Sequence, residues 1–85
     1  MDALALVRVR ALVRSGAARR VRQAAGLTKV EVARSIGTSH ACVSRWEDGL
    51  RVPQGAPAIR YLRLLERLAA AVGISLDDAS KEPVR

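Results

Sequence analysis

Four residues of mixed chemistry stand at helical spacing in the middle of the chain. On a helix, His40, Ala41, Ser44 and Arg45 fall at i, i+1, i+4 and i+5 and share one side, while Val43, Trp46 and Glu47 share the other. The first set suits contact with the edges of nucleobases. Arg45 can donate two hydrogen bonds to guanine O6 and N7, a pairing worth about 1–3 kcal/mol of discrimination. His40 can donate to or accept from a base edge or a phosphate, Ser44 is short and adaptable, and Ala41 can pack on a thymine methyl. Other chemistry finds no support. His40 and Cys42 are two apart, point in different directions on a helix and have no further candidates at zinc spacing, so no metal is expected. With one histidine, no paired carboxylates in a plausible cleft and no glycine-rich phosphate loop, the chain is not expected to be an enzyme. Neither a cofactor nor a small-molecule substrate is expected.

The elements that must position this stripe are legible around it. Thr28-Lys29-Val30-Glu31 has the form of a capping box, with the threonine hydroxyl taking the N3 amide and the glutamate reaching back to the cap amide. It opens a short helix over about 29–36. Gly37 follows, where a left-handed backbone is cheap only for glycine. Ser39 then caps a second helix that runs to about Glu47 and is ended by Gly49. Two short helices joined by a glycine turn, the second with its own cap, make a helix-turn-helix over 28–48. Ala33 supplies the small residue that close helix packing needs. Val32, Ile36, Val43 and Trp46 supply the apolar pins.

Further out, residues 3–14 are rich in Ala, Leu and Arg, with Leu6, Val9 and Val13 on one helical face. A helix is expected there, although the alternation from Leu6 to Arg10 also permits a short strand. Ser15-Gly16 marks a break and a new cap, and a helix follows from about Ala17 to Ala25, stopped by Gly26. Residues 50–56 form a loop. Pro57 opens a long helix, 57–72, with a broad apolar face from Ile59 to Val72 and Gly73 at its end. Ser75-Leu76-Asp77-Asp78 allows one more turn, and a frayed tail is expected over 80–85. Trp46 belongs in the core by its register with Val43, whereas Tyr61 suits either an interface or core cover.

The chain has 85 residues, enough for one domain, and almost no aromatic residues, so its core must come from Ala, Val, Leu and Ile. Net charge is +7 and unevenly placed. Residues 1–60 carry eleven Lys/Arg against four Asp/Glu, while 61–85 carry four of each. One basic face meeting a polyanion accounts for this, and so does a well-solvated arginine-rich surface. Arg8, Arg10, Arg14, Arg19 and Arg20 are open to both readings. Arg60, Arg63 and Arg67 beside Glu66 suit solvent or a dimer rim. The single cysteine allows no intrachain disulfide and fits a reducing cytoplasm. No apolar run approaches the roughly 18–20 residues of a membrane span, and the arginine-interrupted N-terminus does not resemble a secretory signal. A cytoplasmic location, in a bacterium or phage-infected cell, is therefore expected.

Taken together, Arg22, Gly26-Leu27-Thr28, Glu31-Val32-Ala33, Gly37-Thr38-Ser39, Val43-Ser44-Arg45-Trp46-Glu47-Asp48-Gly49 and Pro53 resemble the Xre or Cro/C1 group of lambda-repressor-like domains. The resemblance covers residues 19–53 well and about 17–76 as a fold. It implies that Lys29 contacts a phosphate from a helix N-terminus, where the local dipole also favours an anion. It implies too that Arg22 and Glu47 form a partly buried ion pair joining helices. Thr28, Ser39, Arg19 and Arg51 are further candidates for phosphate contact. Two features depart from the family pattern: Thr38 stands where an apolar residue is commoner, and residues 1–16 form an extension that can cover the core, contact a second copy or add basic surface.

The expected fold is all-α, a lambda-repressor-like bundle of about five helices with an extra N-terminal helix, in one domain over 1–85. The expected function is sequence-specific binding of double-stranded DNA as a homodimer by a Cro-like transcriptional repressor of phage or bacterial origin. Two other classes share these features: a helix-turn-helix antitoxin or other protein-binding module, and a DNA-bending accessory protein of recombination.

Overall fold

The computed structural model describes residues 2–76. Five helices follow one another: α1 (Ala3–Arg14), α2 (Ala17–Ala24), α3 (Lys29–Ile36), α4 (His40–Glu47) and α5 (Gly55–Val72). There is no strand among the described residues, and the 3–14 segment resolves to helix. The expected turn at Ser75–Asp78 and the tail at 80–85 fall partly or wholly outside the described residues.

Side chains and glycines set the helix boundaries. Asp2 caps α1 by accepting from the Ala5 amide at 3.2 Å. Between α1 and α2, Gly16 occupies the cap position with φ +84°, and Ser15 bridges the two helices instead of capping in the usual way. Its hydroxyl donates to the Leu12 carbonyl and accepts from the Ala17 amide. The capping box of α3 is complete: Thr28 Oγ1 accepts from the Glu31 amide at 3.1 Å, and Glu31 Oε1 accepts from the Thr28 amide at 2.9 Å. Gly37 closes α3 at φ +73°, a conformation that costs an L side chain about 1–2 kcal/mol. Ser39 Oγ then accepts from the Cys42 amide at 3.1 Å and starts α4.

The last helix begins two residues earlier than its proline suggests, at Gly55 instead of Pro57. The first helical residues have no intrahelical acceptor for their amides, so a residue lacking an N–H is tolerated at the third position as well as the first. The proline marks the first turn of α5, not its first residue.

The core sits where α5 packs against α1, α2 and α3. Aliphatics dominate it, but an aromatic pair lies at the centre: the Trp46 and Tyr61 rings stack with centroids 5.1 Å apart. Tyr61 is fully buried, so its role is core packing. Its hydroxyl has no hydrogen-bond partner among the described residues, and burial first, with the nearby Glu47 charge second, pushes the phenol well above its ordinary value. Helix α1 belongs to the same core, with Val9 and Leu12 completely buried against the other helices.

Candidate nucleic-acid interface

Helices α3 and α4 form the pair expected from the sequence, with α4 held by its inner side. Val43 and Trp46 are buried in the core, and the Glu47 side chain is fully enclosed. Its carboxylate receives a two-point contact from Arg22, with Nε donating to Oε2 at 2.6 Å and Nη2 to Oε1 at 3.0 Å. Arg22 also donates from Nη1 to the Leu27 carbonyl at 2.9 Å. One guanidinium thus ties α2, the α2–α3 connection and α4 together. Burial pushes the Glu47 carboxyl up, but hydrogen bonds and charge from Arg22 and Arg19 outweigh it and hold the group below its ordinary value.

Arg19, one of the candidates for phosphate contact, pairs with two carboxylates at the end of α4. Its Nε donates to Glu47 Oε1 at 3.1 Å and its Nη2 to Asp48 Oδ1 at 2.8 Å. The anticipated ion pair of two residues is a cluster of four. The cluster also neutralises Asp48, the acidic residue nearest the end of α4. Spacing gave no signal for this, because Arg19 meets its partners 28 and 29 positions away.

With the inner side fixed, the outer side of α4 is presented to solvent. His40, Ala41 and Arg45 are exposed and Ser44 is half-buried. Lys29, at the first position of α3, extends its Nζ to within 3.4 Å of Ser44 Oγ. The start of α3 and the middle of α4 therefore share one surface. Thr28 and Ser39 are exposed at the two helix starts; each oxygen accepts from its own helix, which leaves the hydroxyl proton as a donor. Arg51 is exposed just beyond α4, where its amide bonds back to the Arg45 carbonyl at 3.3 Å. All the candidate contacts other than Arg19 thus lie on α3, α4, their N-terminal caps or the segment following α4.

Two further arginines position this surface without belonging to it. Arg60 of α5 donates to the Ile36 carbonyl at 2.8 Å, satisfying an acceptor that the end of α3 leaves open. Arg10 of α1 donates to the Pro53 carbonyl at 2.9 Å and pins the loop that leaves α4. Sequence spacing carried no sign of either, since both are long side chains meeting a distant backbone oxygen. Arg8, another of the open arginines, lies 3.5 Å from Glu66. Among the described residues no cluster of His, Cys, Asp and Glu could hold a metal ion. No helix there is long and apolar enough to cross a membrane.

Comparison with known families matches residues 16–81 to a model described as a helix-turn-helix domain. Neither the curated proteins nor the solved structures yield a match. The matched segment begins at Gly16, so α1 lies ahead of it.

Proposed function

The chain belongs to a helix-turn-helix family of the Xre/Cro type, and from that premise we propose that it is a sequence-specific transcriptional regulator, a repressor of the Cro kind acting as a homodimer. Helix α4 enters the major groove of duplex DNA, where Arg45, His40, Ser44 and Ala41 touch base edges. Lys29 and the hydroxyls of Thr28 and Ser39 hold phosphates from the starts of α3 and α4, where the helix dipoles favour anions. Arg51 adds a phosphate contact beyond the end of α4.

The observation that carries this reading is the division of α4 by side: Glu47 enclosed and clamped, Arg45 and His40 exposed opposite. A helix held rigidly by one face and offered by the other suits groove reading, because the contacting side chains arrive already oriented. One module of this size makes a small interface on DNA, so tight specific binding calls for two copies on paired half-sites. Selection from random duplexes, read by sequencing, tests the reading. An enriched motif with two half-sites is the expected result. Binding that enriches no sequence at moderate salt would overturn it.

A further inference from the structure

A cleft of about 360 Å³ opens between the second half of α1 and the loop that leaves α4. Arg10, Val13 and Arg14 line it from α1, and Glu47, Asp48 and Val52 from the other side. Its charges do not cancel. Both carboxylates are taken up by arginines of α2, Glu47 by Arg22 and Arg19, and Asp48 by Arg19. The two arginines of α1 meet no carboxylate among the described residues. Arg10 spends its Nε on the Pro53 carbonyl, and the exposed Arg14 has no hydrogen-bond or ion-pair partner there. Four arginines thus surround two carboxylates, and the surplus positive charge stands on α1. The end of α1 does not call for Arg14 either. Its Ala11, Leu12 and Val13 carbonyls already accept from Ser15 and Gly16.

We propose that Arg14 receives a backbone phosphate of duplex DNA, so that α1 widens the interface beyond the helix-turn-helix pair. The inference rests on the DNA-binding reading and adds an element to it. Two observations select a nucleic-acid backbone as the occupant. The first is continuity. The loop on the far side of the cleft starts at the end of α4 and carries the exposed Arg51, whose amide bonds back to the Arg45 carbonyl. The second is the mixture of side chains. Val52 is 56 % exposed in the same cleft as the unpartnered guanidinium. A DNA strand alternates an anionic phosphate with a deoxyribose whose carbon face is apolar, so one stretch of it satisfies both.

Such a contact positions the protein on the duplex and carries no sequence information of its own. Arg10 serves it indirectly, since its bond to Pro53 holds the two walls of the cleft together. Helix α1 precedes the segment matched to the family, which begins at Gly16, so the contact is an addition made by this chain.

Binding of the full chain to its selected duplex, titrated at several salt concentrations, tests the contact. Arg14→Ala flattens the dependence of log Kd on log salt by about one unit of slope. Its enriched motif and unfolding midpoint stay those of the parent, because the side chain is exposed. Arg14→Lys keeps the parent slope. Arg67→Ala removes the same formal charge from an exposed site on α5 outside the cleft and leaves the slope unchanged. Duplexes with single uncharged methylphosphonates then locate the contact. One such replacement weakens the parent and leaves Arg14→Ala unaffected. A parent slope in Arg14→Ala, equal flattening in Arg67→Ala, or no methylphosphonate that separates parent from variant overturns the proposal. If the parent enriches a motif while Arg14→Ala matches it throughout, only this contact falls. A parent that enriches no motif removes the DNA reading and the contact with it.

Discussion

The Glu47 carboxylate is gripped at both oxygens by the Arg22 guanidinium, at 2.6 and 3.0 Å, with its side chain fully enclosed. A planar two-point contact restrains rotation as well as distance. The pair therefore sets which residues of α4 face outward. Whether it adds net stability over an apolar pair is a separate matter, since desolvation offsets much of the attraction.

Removing one partner is costly in any case. Glu47→Ala leaves Arg22 largely buried beside an empty acceptor site and should destabilise the fold by about 3–5 kcal/mol. Arg19→Ala, which removes a side chain that is 42 % exposed, should cost no more than about 1 kcal/mol. Urea unfolding of the two variants checks the contrast, and equal losses would show that the two arginines share the load.

Acid should expose the same carboxylate. The folded-state value of Glu47 lies below its ordinary 4.5, so its stabilising effect is complete above the unfolded value and is lost as pH falls through the folded one. Unfolding free energy should be flat from about pH 7 to 5 and decline below that. In Glu47→Gln the decline should be shallower. Glu31, also held low by its bonds to Thr28, contributes with the same sign, and Glu31→Gln isolates its share.

Tyr61→Phe removes a buried hydroxyl that has no partner among the described residues while keeping the ring against Trp46. Leaving such a group unpaired costs about 1–3 kcal/mol, so the variant should melt at the same temperature as the parent or higher. A fall of several degrees would mean that the hydroxyl is satisfied.

On DNA, the two kinds of contact should separate. Arg45→Ala should relax specificity at one base position, at a cost of about 1–3 kcal/mol on the preferred site. Lys29→Ala should weaken all sequences alike and flatten the salt dependence by about one unit of slope. Identical behaviour of the two in binding titrations at several salt concentrations would contradict the assigned roles.

Helix α1 should prove integral to the fold although it precedes the family-matched segment. Leu12 is fully buried, and Leu12→Ala should cost about 2–5 kcal/mol, measured by thermal or urea unfolding. A loss below about 0.5 kcal/mol, the range of surface substitutions, would mean that α1 merely rests on the bundle.

What was legible in the sequence was whatever a residue declares locally. Thr28, Glu31 and Ser39 signal helix starts because short oxygen-bearing side chains satisfy nearby amides, and Gly37 signals a turn because of its backbone. The division of α4 followed from period alone. Less was legible at Pro57, since a missing amide is tolerated throughout a first turn. Arg10, Arg19 and Arg60 declared a charge but not a partner, because their acceptors lie 43, 28 and 24 positions away at the nearest. Tyr61, amphipathic by nature, suits an interface or an interior equally, and only the depth of packing around it decides.

The stacking of Trp46 on Tyr61 carries a practical consequence. Trp46 is the only tryptophan in the chain and grows from the inner side of α4, whose outer side is exposed to solvent. Its ultraviolet emission is therefore an internal, label-free gauge of how firmly that helix is seated. A red shift would signal water reaching the indole, and its absence during a titration would signal a ligand received without disturbing the bundle.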